Sequence, residues 1–203
     1  TGPTGGSLLA NLIQTPSLVE RAQQGREVGY AIIAVGTIGI IIAIYKLIEL
    51  AGVARAVKNQ ASSKAADPRN PLGRVLKVGQ DNFEKDIDTL ELKLAEAIMA
   101  ERPAIERWIG AVRIISVVAP LAGLLGTVTG MIVTFQMITL YGTGDPKLMA
   151  GGISEALVTT VLGLLVAIPT TLLHSFTASS ARGIISTLEE QSTGILAEHS
   201  EAK

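Results

Sequence analysis

The sequence contains no cysteine, only two histidines and few aromatic residues. The missing cysteine excludes a disulfide-stapled secreted scaffold, a thiolate metal site and a cysteine nucleophile. There is no histidine cluster and no glycine-rich phosphate cradle of the Walker type, so neither an enzyme nor a bound cofactor is expected. Neither sign of charge is in excess: 17 Lys and Arg stand against 18 Asp and Glu, which gives no sign of a nucleic-acid partner.

Apolar residues make up 48% of the 203 positions and are gathered into blocks. A bilayer core needs roughly 20 largely apolar residues per helix. Val28 to Tyr45 carries no charge and is extended by Leu47, Ile48 and Leu50; Ile114 to Tyr141 is uncharged throughout; Leu148 to Ala181 is uncharged except for Glu155. These blocks are too many and too long for the core of a small soluble domain. The first also lacks the basic start and A-x-A end of a cleavable signal. The expected fold is all-α and polytopic, with transmembrane helices over 28–50, 114–141 and 151–178.

Lys and Arg set the expected orientation. Most of them lie between Lys46 and Arg113, whereas the loop after the second span has only Lys147. By the positive-inside rule a long helical segment, 51–113, and a tail, 179–203, face the cytoplasm, leaving 1–27 and a loop, 142–150, outside. The lack of two inverted halves argues against a solute transporter. Within 1–27, SLLANLIQ has helical spacing and Thr15 with Pro16 forms a helix start, so an interfacial helix is expected.

In the cytoplasmic segment ASSKAADPRNP reads as a turn. Phe83, Ile87, Leu90 and Leu94 then follow at the spacing of one helix face, with Glu84, Lys85, Asp86, Asp88, Glu91 and Lys93 as a solvated surface. Pro103 is expected to break the chain, and AIERWIGAVRII to run unbroken into the second span with Trp108 near the headgroups.

The second span, SVVAPLAGLLGTVTGMIVTFQMITLY, carries Gly123, Gly126 and Gly130 as a stripe, a device for close helix packing where lipid gives no hydrophobic drive to associate. Thr127 and Thr134 share a face within about 20°. Their hydroxyls either bond their own carbonyls four residues back or reach a neighbouring helix. The third span repeats the device with Gly152, Ala156, Gly163 and Ala167. Thr159 lies one turn beyond Glu155, and Thr160 is rotated from Glu155 by about 140°. Pro169 removes one ladder bond and is a candidate kink. Thr127 and Thr160 fall at similar depth, about 18 to 20 Å from their helix starts, where they could form one polar layer.

Glu155 is the least comfortable residue in an apolar helix. A carboxylate at the centre of a span costs about 2.5 to 3.5 kcal/mol on insertion scales, less near a helix N-terminus. It is either a functional group or an acceptor that ties helices together. His174, toward the inner end, reads as interfacial, with a proton relay as the alternative.

PLAGLLGTVTGMIVTF followed by GGISEALVTTVLGLLVAIP resembles the paired second and third helices of the MotA, TolQ and ExbB proton-channel family, and is most similar to its ExbB branch. The likeness covers the whole topology. It implies that Thr127, Glu155 and Thr160 occupy polar, pore-lining positions of an ion path; Thr134 and Thr159 are expected to line it as well, Thr159 as a second threonine that departs from the family pattern, while Gly123, Gly126, Gly130, Gly152 and Gly163 are expected from their spacing to pack the helices. It further implies a homo-oligomeric ring of five copies in lipid, in the inner membrane of a Gram-negative bacterium. The ring would enclose an ExbD-like single-span partner with an intramembrane aspartate and drive a TonB-like protein that serves outer-membrane import. Thr129 departs from the family pattern, in which many relatives carry an aromatic there. The start at Thr1 rather than Met fits the membrane core of a longer form. A TolQ-like role in the Tol-Pal system shares the three-span plan, whereas MotA-like stators have four spans. From the residues alone, a non-conducting scaffold held by the small-residue seams is the reading of a different class.

Overall fold

The computed structural model describes residues 26–63, 65–142 and 146–202. The interfacial helix expected within 1–25 lies outside them. All regular structure among the described residues is helical: α1 (Arg26–Ala61), α2 (Pro71–Asp81), α3 (Ile87–Glu106), α4 (Ile109–Tyr141) and α5 (Pro146–Glu201). Helices α1, α4 and α5 are long and apolar enough to cross a membrane, and they contain the three expected spans.

Each long helix also runs past its apolar block. After Tyr45 the sequence KLIELAGVARAVKNQA has good helix formers and no proline, so α1 continues until the Ser-, Asp- and Pro-rich turn. Helix α5 begins at Pro146, inside the expected 142–150 loop, because proline is well suited to the first helical turn. It then continues through Pro169 and through the expected separate tail to Glu201.

Three local expectations are corrected: the break at Pro103, the unbroken run of AIERWIGAVRII into the second span, and the place of Phe83. The break expected at Pro103 does not occur: α3 carries Pro103 inside it and ends at Glu106. The chain instead turns at Arg107, which is extended, and at Trp108, whose φ is +70°. The Arg107 guanidinium lies 5.4 Å from the centre of the Trp108 ring, within cation–π range. Phe83 is likewise not on α3. It lies in the turn after α2, and Asp86 caps α3 by accepting from the Thr89 amide at 3.0 Å.

The chain forms two compact units, and the boundary passes within three helices. One unit comprises α1 to Ile38, α4 from Ile115 and α5 to Pro169; the other comprises the remainder. In the first, Ile32, Ala119, Leu162 and Val166 form the core, joined by Val28, Ile33, Ala122 and Val158. A Cβ at Gly36 would lie 2.5 Å from Val166, so this glycine lets α1 approach α5 closely. Leu121, Leu125, Phe135, Leu157, Leu165 and Ile168 remain exposed, an apolar exterior suited to lipid or to other membrane helices.

The second unit has an ordinary aliphatic core in which Leu50, Val57, Leu72, Val75, Leu90, Leu94, Ile184 and Leu188 are buried together. Lys46 is only 1% exposed, yet its ammonium donates to the Ala104 carbonyl (3.0 Å) and to Glu49 (3.2 Å). It therefore satisfies one of the carbonyls left open in the last turn of α3. Gln60 organises the turn before α2. Its amide nitrogen donates to the Ala65 carbonyl (2.7 Å), and its oxygen accepts from the Asp67 amide (2.9 Å) and from Asn70 (3.2 Å). Asn70 then caps α2 by accepting from the Gly73 amide at 2.7 Å. On the surface of this turn, hydrogen bonds from the Arg69 guanidinium hold the Asp67 carboxyl below its ordinary range.

Gly73 is required here for space. A Cβ at this position would overlap the Asp67 carbonyl, and backbone cannot move aside as a flexible side chain can. Gly73→Ala is expected to destabilise this unit by about 1–3 kcal/mol, the usual range for overpacking. Loss of helical circular dichroism at lower temperature would report it, and an unchanged melt would disprove the tight turn.

Candidate functional site

The site grows from the way α4 and α5 pack within the first unit. A Cβ at Gly163 would lie 2.7 Å from the Ala119 carbonyl oxygen, one at Gly123 2.8 Å from the Thr159 carbonyl oxygen, and one at Gly130 2.8 Å from the Ala156 Cβ. A Cβ at Gly152 would lie 2.5 Å from the Thr134 hydroxyl. Residue numbers rise along α4 as they fall along α5, so the helices are antiparallel. All five glycines singled out in the sequence lie on this one seam. Gly123 and Gly163 face each other, and the backbones come nearly into contact.

Close approach brings hydroxyls to carbonyls of the opposite helix. The Thr127 hydroxyl lies 2.9 Å from the Ala156 carbonyl oxygen on α5 and 3.2 Å from its own Gly123 carbonyl. Thr160 reaches in the other direction, 3.3 Å from the Gly123 carbonyl. Gly123 and Ala156 are the residues four positions before Thr127 and Thr160. Each threonine thus reaches the carbonyl that its counterpart would take by simple back-bonding within a helix. The two hydroxyls also hydrogen-bond directly to each other. Both residues are half-buried, so the pair sits at an edge of the seam.

Thr134 and Thr159, expected to line the path, are buried between α4 and α5, 6% and 3% exposed. Thr134 donates to its own Gly130 carbonyl at 2.9 Å and packs against Gly152. Thr159 fits beside Gly126, where a Cβ would come 2.6 Å from its hydroxyl. That hydroxyl lies 2.7 Å from the Ala156 carbonyl and 3.1 Å from the Gly123 carbonyl. The reason for the burial is local: glycine at 126 leaves a hole, and two carbonyls border it.

Glu155 is half-buried, one turn before Thr159 on α5. His174 belongs to the other unit. Thr129, the departure noted in the sequence, bonds only to carbonyls of its own helix, at Leu125 and Gly126. The sequence reading missed the carbonyls of Gly123 and Ala156 as members of the site. Their signal was the four-residue offset from each threonine. No group of three or more His, Cys, Asp or Glu suited to a metal occurs among the described residues.

Chemically, the cluster is a set of three hydroxyls and two main-chain carbonyls in an apolar helix pair. It contains no ionisable group of its own. Each hydroxyl accepts as well as donates, so the set can pass hydrogen bonds along and can hold a proton-bearing group presented to its exposed side.

Comparison with known proteins bears on this arrangement. The profile of the MotA/TolQ/ExbB proton channel family matches residues 67–190, which include α4, the threonine cluster and most of α5. A protein described as an ExbB homolog of biopolymer transport, from Methanothermobacter thermautotrophicus, is 31% identical over 79% of this chain and 62% of its own length. The biopolymer transport protein ExbB of Aquifex aeolicus is 45% identical over 32% of this chain and 43% of its own. That of Salmonella typhimurium is 28% identical over 60% of this chain and 50% of its own. The matches thus span less than two thirds of the length of these curated relatives.

Proposed function

Because the chain belongs to the MotA/TolQ/ExbB proton channel family, we propose that it is the ring subunit of an ExbB–ExbD-like complex in the inner membrane of a Gram-negative bacterium. In this reading α1, α4 and α5 cross the bilayer. The start of α1 and the α4–α5 connection face outward, as the distribution of Lys and Arg favours. A homopentameric ring, surrounded by lipid, encloses an ExbD-like single-span partner whose intramembrane aspartate binds and releases the proton. Motion of that partner is passed to a TonB-like protein for active import across the outer membrane.

The observation that carries this reading is the Thr127–Thr160 hydroxyl pair, half-buried at the edge of the glycine seam in an otherwise apolar helix pair. A pair that donates and accepts at mid-span suits a protonated or ionised carboxyl group of a partner equally well. The energy available also suits a conformational machine. A charge crossing the membrane releases about 2.3 kcal/mol per 100 mV, and a pH unit adds about 1.4 kcal/mol. Glu155, nearer the outer end of α5, keeps the approach to the pair hydrated.

Glu155→Gln tests the proposal against a non-conducting scaffold. The expected outcome is a complex of unchanged size whose proton-dependent import falls about tenfold, equivalent to ~1.4 kcal/mol. Unchanged import with altered assembly would instead favour the scaffold.

A further inference from the structure

We propose that the faces of α4 and α5 turned away from their common seam are the two halves of one contact between neighbouring copies of this chain, in which Gln136 of one copy meets Ser154 of the next. The inference rests on the ring reading above and names the faces that close the ring. Both residues lie in the apolar unit, and both are exposed. Among the described residues, neither the Gln136 carboxamide nor the Ser154 hydroxyl has a hydrogen-bond partner, whereas Thr129, Thr134 and Thr139 on α4 each take a carbonyl of their own helix. Lipid tails offer a carboxamide nothing in place of water, and such side chains in membrane helices hydrogen-bond across to another helix. Gln136 also lines an open groove together with Ile132, Phe135, Thr139 and Leu140, all of them on α4.

The two groups sit on opposite sides of the helix pair. At about 100° per residue, Gln136 is turned about 120° from Gly130 and Ser154 about 180° from Gly163, so neither faces the seam. Their heights match as well. Gly130 meets Ala156 and Gly152 meets Thr134 across the seam, which sets Ser154 level with Ile132 and the Gln136 Cα about 6 Å farther along α4. Side chains lean toward the N-terminus of their own helix. Because α4 and α5 are antiparallel, Gln136 leans back toward the level of Ile132 and Ser154 leans the opposite way, so the two side chains converge in height.

A polar group on one side of a chain with its counterpart at the same height on the other side is the arrangement of a head-to-tail contact, in which every copy uses both surfaces and the series closes into a ring. A single-span partner would answer one of the two groups and leave the other facing lipid. A second copy answers both. It also leaves the threonine pair open, because Thr127 lies about 180° around α4 from Gln136.

The chain has no cysteine, so introduced cysteines are the only thiols of the subunit. The test uses the whole complex in its own membranes, with Ile132→Cys and Ser154→Cys combined in one chain and treated with a short, membrane-permeant bismaleimide. A denaturing gel is expected to show a ladder of covalent dimers, trimers and larger species that ends at the copy number of the complex, while each single variant stays monomeric. Ile132→Cys with Leu165→Cys, an exposed position on the same side of α5 but about 16 Å farther along, should also stay monomeric. Dimers from either single variant, an equal ladder from the Leu165 pair, or a link to a different protein overturns the inference. Gln136→Leu removes the carboxamide at similar size. It is expected to raise the dissociated fraction of the detergent-extracted oligomer about threefold, the scale of one interhelical hydrogen bond, and native resistance overturns the pairing. Native mass spectrometry of the extracted complex separates the two levels. If it holds a single copy of this chain, the ring reading falls and the inference with it; if it holds several and the Ile132–Ser154 pair stays monomeric, only the inference falls.

Discussion

Gly123→Val is expected to prevent recovery of a folded complex. Even the first added carbon would lie 2.8 Å from the Thr159 carbonyl oxygen, 3.1 Å from the Thr160 Cα and 3.2 Å from the Gly163 Cα. All three are backbone atoms, so no rotamer change relieves the contact, and α4 and α5 must move apart. Separation breaks every interhelical bond of the threonine cluster and opens the seam from Ala119 to Gly152. Overpacking in a core costs about 1–3 kcal/mol, and a contact made wholly with backbone belongs at or above the top of that range. The measurements are the yield of detergent-extracted oligomer and its unfolding temperature. Gly52→Ala serves as the contrast, since a Cβ there meets nothing within 4 Å in this chain. The alanine should leave the fold intact and gain slightly from its higher helix propensity. Equal behaviour of the two variants would show that the close approach at Gly123 is unimportant.

What could be read from the sequence follows from the range of the forces involved. The three apolar helices were legible because bilayer crossing imposes a long, nearly uncharged run that few other structures need. The five seam glycines were legible because one spacing rule places Gly123, Gly126 and Gly130 on one face of α4, and Gly152 and Gly163 on one face of α5. Thr127 and Thr160 could be assigned to one depth by counting residues, but their mutual contact depends on the register of two helices, which no periodicity within one helix records.

What the sequence did not show has the same origin. Thr159 is adjacent to Thr160 and chemically identical to it, and only the hole left by Gly126 on the opposite helix draws it inside. Pro103 was expected to break the chain because it lacks an N–H. The surrounding AEAIMAERPAIE is otherwise favourable to helix, with Ile105 buried beyond the proline, and α3 tolerates one missing bond. The actual break at Arg107 and Trp108 carries neither glycine nor proline, and a positive φ at tryptophan has no local sequence signal. Helix α2 is short, and its strongest mark is Asn70 followed by Pro71, a start signal without a long periodic run behind it.

On the proposed function, removing both hydroxyls of the central pair, with Thr127→Val and Thr160→Val, is expected to stop proton-driven work while leaving oligomer size unchanged. Valine matches threonine in shape, so the glycine seam keeps its fit. The Gly123 and Ala156 carbonyls that lose a hydroxyl also have helical partners of their own, and Thr159 remains beside both. Interhelical hydrogen bonds in membranes average only about 0.6 kcal/mol, so a small fall in unfolding temperature is the expected structural consequence. The functional consequence is of another order, because the edge of the seam would then present methyl groups where the proposed partner's carboxyl group needs a donor and an acceptor. A positioned proton-transferring group contributes about a hundredfold or more to rate, and proton flux through reconstituted vesicles should fall on that scale. The single variants should differ. Thr127→Val leaves Thr160 able to donate to the Gly123 carbonyl or outward, whereas Thr160→Val removes the hydroxyl that reaches across from α5. A double variant with native flux and native import would reduce the threonine pair to a packing device, and a double variant that fails to assemble would place its main contribution in the α4–α5 interface.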